Sequence, residues 1–277
     1  MRMKINKNGW KNALGLGVLG VLIACATSPL GRRQVVLLSA SQMDSMGAQS
    51  FEELKAKTPI EKDPAINRYV QCVVAPIAAA AQGRVSVSHW EVVVFKDPTA
   101  NAFALPGGKI GVHTGILPVA KTPAQLAAVL GHEVGHVMAQ HGNERVSQGQ
   151  LAALLMGVTD LAVKDMSDGQ KKVLMAGLGV GVQYGALLPF GRTQESEADL
   201  IGLDLMAKAG FDPAESVELW KNMSAAAGGK SPPEWMSTHP SSESRISNLK
   251  AHVPEHVRDY QNAIQRSGPP RCQMNQS

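Results

Sequence analysis

The densest chemistry in this 277-residue sequence is His132-Glu133-Val134-Gly135-His136. On a helix, residues four apart stand one turn above each other on the same face. His132 and His136 then offer two imidazoles to one point, and both reach a single zinc ion at about 2.0–2.1 Å. Glu133 points about 60° beyond His136 around the helix. That sets its carboxylate beside the ion, where it can hold a water and take its proton. The competing reading, a solvated polar stripe, fits poorly with a surrounding stretch as apolar as Leu126 to Val137.

A catalytic zinc normally takes three protein ligands. If the helix continues, His141 stands about 140° around it from His136. Gly142 occupies the position six residues after His136, where some zinc peptidases carry a third histidine. A better source is Glu195-Ser196-Glu197-Ala198-Asp199. Glu195 and Asp199 are four apart and share a helix face, so one carboxylate can ligate the ion and the other can orient a ligand histidine from behind. Glu197 reads instead as an acid in a first helical turn, complementing the helix dipole. Further on, Ser237-Thr238-His239-Pro240 is followed by Arg245, a further candidate for the site. Three roles stay open for His239: donor to the oxyanion of a tetrahedral intermediate, fourth metal ligand, or loop cap.

These two motifs, with Asn101-Ala102-Phe103-Ala104-Leu105-Pro106-Gly107-Gly108 upstream, resemble the zinc metallopeptidases of family M48 over roughly residues 41–250. The resemblance implies one Zn2+ per chain, with His132, His136 and Glu195 as ligands, Glu133 as catalytic base and Asp199 as partner behind them. It also implies a zincin-like domain, mainly helical α+β, with a small antiparallel sheet beside the active-site helix. The family's usual serine before Arg192 is Gly191 here. Peptide hydrolysis is the implied reaction, and misfolded or unassembled cell-envelope proteins are the implied substrates. The rival class is a chaperone or assembly factor whose metal site stays closed.

The elements that must position these groups are partly legible. Thr122-Pro123-Ala124-Gln125 opens the motif helix with an N-cap threonine, proline at the first position and glutamine three residues after the cap, and the helix is expected to reach about Gln140. Before it, Ser41 to Gln82 reads as mostly helical, with Ile66, Val70, Val73 and Ile77 on one face. Trp90–Phe95, Ala102–Leu105 and Lys109–His113 read as strands of an antiparallel sheet, turned at Pro106-Gly107-Gly108. Gly108, Lys109, Ile110, Gly111 and Val112 form the expected edge strand to which an extended substrate adds. Residues 147–190 read as two helices, the second apolar and glycine-rich from Val173 to Phe190. Helices follow from about Thr193 to Ala209, from Pro213 to Ala227, and briefly around Arg245 to Leu249.

The amino-terminal residues read as a lipoprotein signal peptide over 1–24. A basic stretch precedes twelve apolar residues, Ala13–Ala24, too few to span a bilayer. Leu22-Ile23-Ala24-Cys25 then resembles a lipobox, with Cys25 lipidated and residues 25–40 serving as a tether. By resemblance to Gram-negative lipoproteins, Ala26 after the cysteine implies the periplasmic face of the outer membrane. Four of the 27 basic residues lie in this segment, and the remaining 23 match the 23 acids. The basic balance is therefore no argument for nucleic-acid binding. The metallopeptidase domain is expected over 41–257, with a flexible tail over 258–277. Cys72 and Cys272 either pair, as an oxidising compartment allows, or stay apart as a buried and a free thiol.

Overall fold

The computed structural model describes residues 25–155, 190–227, 234–239 and 243–274. The signal segment and Val173–Pro189 of the glycine-rich stretch lie outside them. The fold is mainly helical, with a three-stranded sheet packed beside the helix that carries the histidine motif.

That helix, α3 (Pro123–Met138), starts where the capping signal puts it: the Thr122 hydroxyl accepts from the Gln125 amide at 3.1 Å. It is buried almost throughout, because it is packed between α2 (Pro64–Ala81), the sheet and α5 (Arg192–Lys208). Val70, Val73 and Ile77 of α2 share one core with Leu126, Val129 and Leu130 of α3, the face that the helical spacing predicts. No helix among the described residues is long and apolar enough to cross a membrane.

Strand order differs from the expected antiparallel meander. Strands β4 (Ala102–Leu105) and β5 (Lys109–His113) form the antiparallel hairpin, turned by Gly107 and Gly108 at φ 76° and 73°. Strand β3 (Glu91–Phe95) pairs with β5 in parallel, with Glu91 opposite Lys109 and Phe95 opposite His113. Two reversals return β5 to the direction of β3, and β5 inserts between its neighbours to give the order β3-β5-β4. Lys109–His113 is therefore the central strand, with both its edges paired. The strand on the α3 side is β4. Gly111 leaves room for the Phe103 ring, its cross-strand partner, which a Cβ there would strike. Phe103 packs in turn with Phe51 of α1 (Ala40–Lys57) and Phe95 of β3.

Two segments read as loose are built into the domain. Residues 25–38 are no free tether: β1 (Cys25–Thr27) and β2 (Arg33–Val35) form a hairpin, and the strand exit is bonded to α4 (His141–Leu155). Leu37 N–H donates to Ser147 Oγ at 2.8 Å, and the Asn143 amide donates to the Leu38 carbonyl at 2.8 Å. The chain after α6 (Glu215–Ala227) and the short α7 (Glu234–Thr238) runs into a 25-residue helix, α8 (Glu243–Ser267), far longer than the expected turn at Arg245–Leu249. Its composition is polar, but Ile246, Leu249 and Val253 recur at helical spacing and pack on the core. Beyond it, Cys272 is buried and bonded to Cys72 across 200 residues of sequence.

This bridge closes a loop most of the domain long, so it restricts the unfolded chain strongly. Cys272→Ser is expected to lower unfolding free energy by about 2–5 kcal/mol, read from urea unfolding without reductant. An unchanged midpoint would show that the pairing does not form in the folded protein.

Candidate metal centre

Helices α3 and α5 cross at unusually close range, and glycine permits it. A Cβ on Gly135 would come within 2.9 Å of the Ala198 carbonyl oxygen, and one on Gly202 within 3.0 Å of the His132 amide nitrogen. Backbone thus lies against backbone, and Glu195 and Asp199 of α5 reach the histidine face of α3.

Four buried side chains meet there: His132, His136, Glu195 and His239, with donor atoms all within 4.8 Å of one another. His132 Nε2 lies 3.0 Å from His136 Nε2 and 3.2 Å from His239 Nδ1. Glu195 Oε1 lies 2.9 Å from His239 Nδ1 and 3.5 Å from His136 Nε2. A tetrahedral ion bound at about 2.0–2.1 Å sets its ligand atoms about 3.3 Å apart. The spacing found here is that of a ligand shell around one small cation, and the donor set, three imidazoles and a carboxylate, suits zinc.

The far side of each ligand is also engaged. His132 Nδ1 lies 3.0 Å from Asp199 Oδ1. A carboxylate accepts only, so a ring hydrogen is on Nδ1, and Nε2 is the nitrogen turned to the centre, its lone pair free once a cation displaces the ring's second proton. Arg245 holds Asp199 through two bonds, Nε to Oδ2 at 2.8 Å and Nη2 to Oδ1 at 2.7 Å, and its Nη1 lies 2.5 Å from Glu195 Oε2. Its guanidinium stacks over Trp220 at 4.2 Å. Arg245 therefore acts on the carboxylates and is not aimed into the cleft.

Burial pulls the Glu195 carboxyl upward, but the imidazoles of His239 and His132 outweigh it and hold it below the usual carboxylate range. Asp199 is likewise held down against burial by Arg245 and His132. Burial pulls His132 down, but Asp199 and Glu195 outweigh it and lift the ring to about 9. Its retained proton is the positive charge that a cation would replace. Burial, with the neighbouring rings, pushes His136 well below its ordinary value, which keeps it a neutral donor.

Glu133 is buried at the cleft wall. Its Oε1 accepts from Trp235 Nε1–H at 2.6 Å and lies 3.4 Å from His239 Nε2. His239 follows directly on α7 and its N–H bonds back to the Trp235 carbonyl at 2.9 Å, so this one segment covers both the donor cluster and Glu133. The cleft in front is lined by Phe103 and Ala104 of β4, Glu133, Val137, Phe190 and His239. Gly107 borders it, whereas Lys109 is drawn away to Glu91 at 2.7 Å.

Sequence reasoning missed four residues at this centre. His141 Nδ1 lies 2.9 Å from His136 Nδ1, and its Nε2 lies 3.1 Å from Glu197 Oε2. The helical wheel puts His141 on the wrong side because α3 ends at Met138; Gln140 then adopts φ 55°, and His141 begins a new helix that turns back beneath His136. Glu197 faces inward and does not serve the helix dipole alone. Trp235 and Arg32, the latter bonded to Glu197, carry no motif of their own.

Comparison with known proteins follows this geometry. The family model described as Peptidase family M48 matches residues 64–253. The chain is 42% identical to mitochondrial metalloendopeptidase OMA1 of Schizosaccharomyces pombe over 168 residues, 60% of this chain and 47% of that protein. It is 32% identical to the Bos taurus mitochondrial metalloendopeptidase OMA1 over 288 residues, 96% of this chain and 54% of that one. The beta-barrel assembly-enhancing protease of Escherichia coli is 29% identical over 217 residues, 77% of this chain and 44% of that protein. The chain spans about half the length of these curated relatives.

Because the donor cluster depends on the helix crossing, Gly135→Ala is expected to cost about 1–3 kcal/mol of stability and to cut metal uptake. Gly149→Ala, in open space, should do neither. Thermal unfolding and metal analysis of both purified variants check this, and equal behaviour would remove the crossing as a constraint.

Proposed function

Since this chain belongs to peptidase family M48, we propose that it is a zinc-dependent metalloendopeptidase, with His132, His136 and Glu195 as ligands and Glu133 as catalytic base. The observation that carries this reading is the four buried donors within 4.8 Å of one another, beside the Glu133 carboxylate. Zinc held there supplies Lewis acidity for the scissile carbonyl and the attacking water. Glu133 takes the proton of that water and later passes it to the leaving amine. Asp199 and Arg245 hold the ligands in orientation while charge develops. An extended substrate adds to the cleft side of β4, where main-chain pairing gives little sequence selectivity. That suits misfolded or unassembled proteins of the cell envelope, a role in line with the name of the Escherichia coli relative.

In this reading His239 closes the resting site as a fourth ligand, and Trp235 occupies the base. The same closure favours a second function, an assembly factor with a latent metal site. Cleavage of an unfolded protein such as casein separates the two. Wild type is expected to cleave, Glu133→Gln to keep zinc without cleaving, and Glu195→Ala to lose both. His239→Ala and Trp235→Phe are expected to raise basal cleavage. The indole bond to a charged group is worth about 1.5–3 kcal/mol, or roughly 10–100-fold. A fall of about 10²–10³ in His239→Ala would make it an oxyanion donor instead, and no cleavage by any form would favour the assembly factor.

Lipid at Cys25 anchors the protein to the periplasmic face of the outer membrane. The support is the lipobox-like Leu22-Ile23-Ala24-Cys25 after a short apolar run. Cys25→Ser should move the protein from the membrane pellet to the soluble envelope fraction. Continued membrane residence after carbonate washing would refute the anchor.

A further inference from the structure

The two histidines of the motif are backed unequally. Behind His132 stands a carboxylate, Asp199, in direct contact. Behind His136 stands another imidazole, His141, and only behind that a carboxylate, Glu197. The order of groups determines where the hydrogens lie. Glu197 accepts only, so His141 carries its hydrogen on Nε2 and offers the Nδ1 lone pair. His136 must then donate from its own Nδ1, which leaves its Nε2 lone pair facing the centre. The relay thus does for His136 what Asp199 does for His132.

The relay ends on the amino-terminal hairpin. Arg32, in the turn between β1 and β2, binds Glu144 with both Nη atoms at 2.7 Å and donates from Nε to Glu197 Oε2 at 2.9 Å. Gln194 adds a bond to Glu144 at 2.7 Å. The acids come from α4 and α5, so one guanidinium pins the starts of both helices at the point where His141 and Glu195 leave the backbone. Its planar fork matches this task, which a lysine could not fill. Arg32 precedes residue 64, where the family match begins.

We propose that the amino-terminal hairpin is a working part of the metal site: Arg32 is a positioning residue that holds Glu197 and, through Glu197 and His141, fixes the tautomer and ring orientation of His136. This rests on the zinc reading above. Partners placed behind ligand histidines typically govern metal affinity about 10–100-fold.

The test is zinc affinity of the full chain, measured by competition with a chromophoric chelator, so that it does not depend on turnover. His141→Leu and Glu197→Leu, which removes the acceptor, should each weaken zinc binding about 10–100-fold, and Arg32→Ala about tenfold. His141→Asn should recover most of the loss, because its carboxamide oxygen stands near the position of Nδ1 and accepts the same hydrogen. The visible spectrum of the cobalt-loaded chain should change in His141→Leu and return in His141→Asn. Glu197→Leu combined with His141→Leu should bind zinc no more weakly than His141→Leu alone, since Glu197 reaches the centre through His141. Wild-type affinity in Glu197→Leu, or in a folded Arg32→Ala, would overturn the proposal. Strictly additive losses would do the same. If wild type itself takes up no zinc, the metallopeptidase reading fails and not this inference alone.

Discussion

One electrostatic constraint governs the centre of this fold: the donor atoms of three imidazoles and one carboxylate are held within 4.8 Å of each other, away from water. Bare nitrogens at 3.0 Å cannot satisfy one another. A proton or a cation must lie between them, and burying such charge costs several kcal/mol per ion unless it is matched. The matching is done from behind. Asp199 and Arg245 behind His132, and His141, Glu197 and Arg32 behind His136, engage the ring nitrogens that face away from the centre. The helix crossing allowed by Gly135 and Gly202 brings these two sides together, and the buried α2–α3 core keeps them from relaxing apart.

What was legible in the sequence is what local periodicity determines. The motif helix, its Thr122 cap, and the shared face of Glu195 and Asp199 all follow from 3.6 residues per turn, and the structure brings these groups together. Periodicity failed where a helix stopped sooner than expected. The left-handed Gln140 put His141 under His136, which no wheel drawn through an unbroken helix can show. It failed again where partners are distant. Arg32 and Glu197 are 165 residues apart, and nothing near either one signals the other. Strand alternation correctly marked β3, β4 and β5, but strand order depends on crossover and not on alternation, so the central position of β5 was out of reach. The polar composition of α8 disguised a buried stripe that only three or four residues carry.

The carboxy-terminal half covers this site. Trp235 in α7 and His239 directly after it are joined by the His239 N–H to Trp235 carbonyl bond at 2.9 Å, so one short segment covers both Glu133 and the donor cluster. The helix is tied at several points: Trp235 N–H to the Ala100 carbonyl at 3.2 Å, Phe190 N–H to the Thr238 carbonyl at 3.1 Å, the Trp220–Trp235 ring contact, and His239 stacked on Phe190. Each tie contributes on the order of 1 kcal/mol. One of these ties is to Ala100, two residues before β4, the strand proposed to receive the substrate. Under the peptidase reading, the strand that receives the substrate and the helix that covers the base thus share one loop, and that loop is held to α7 by a backbone bond.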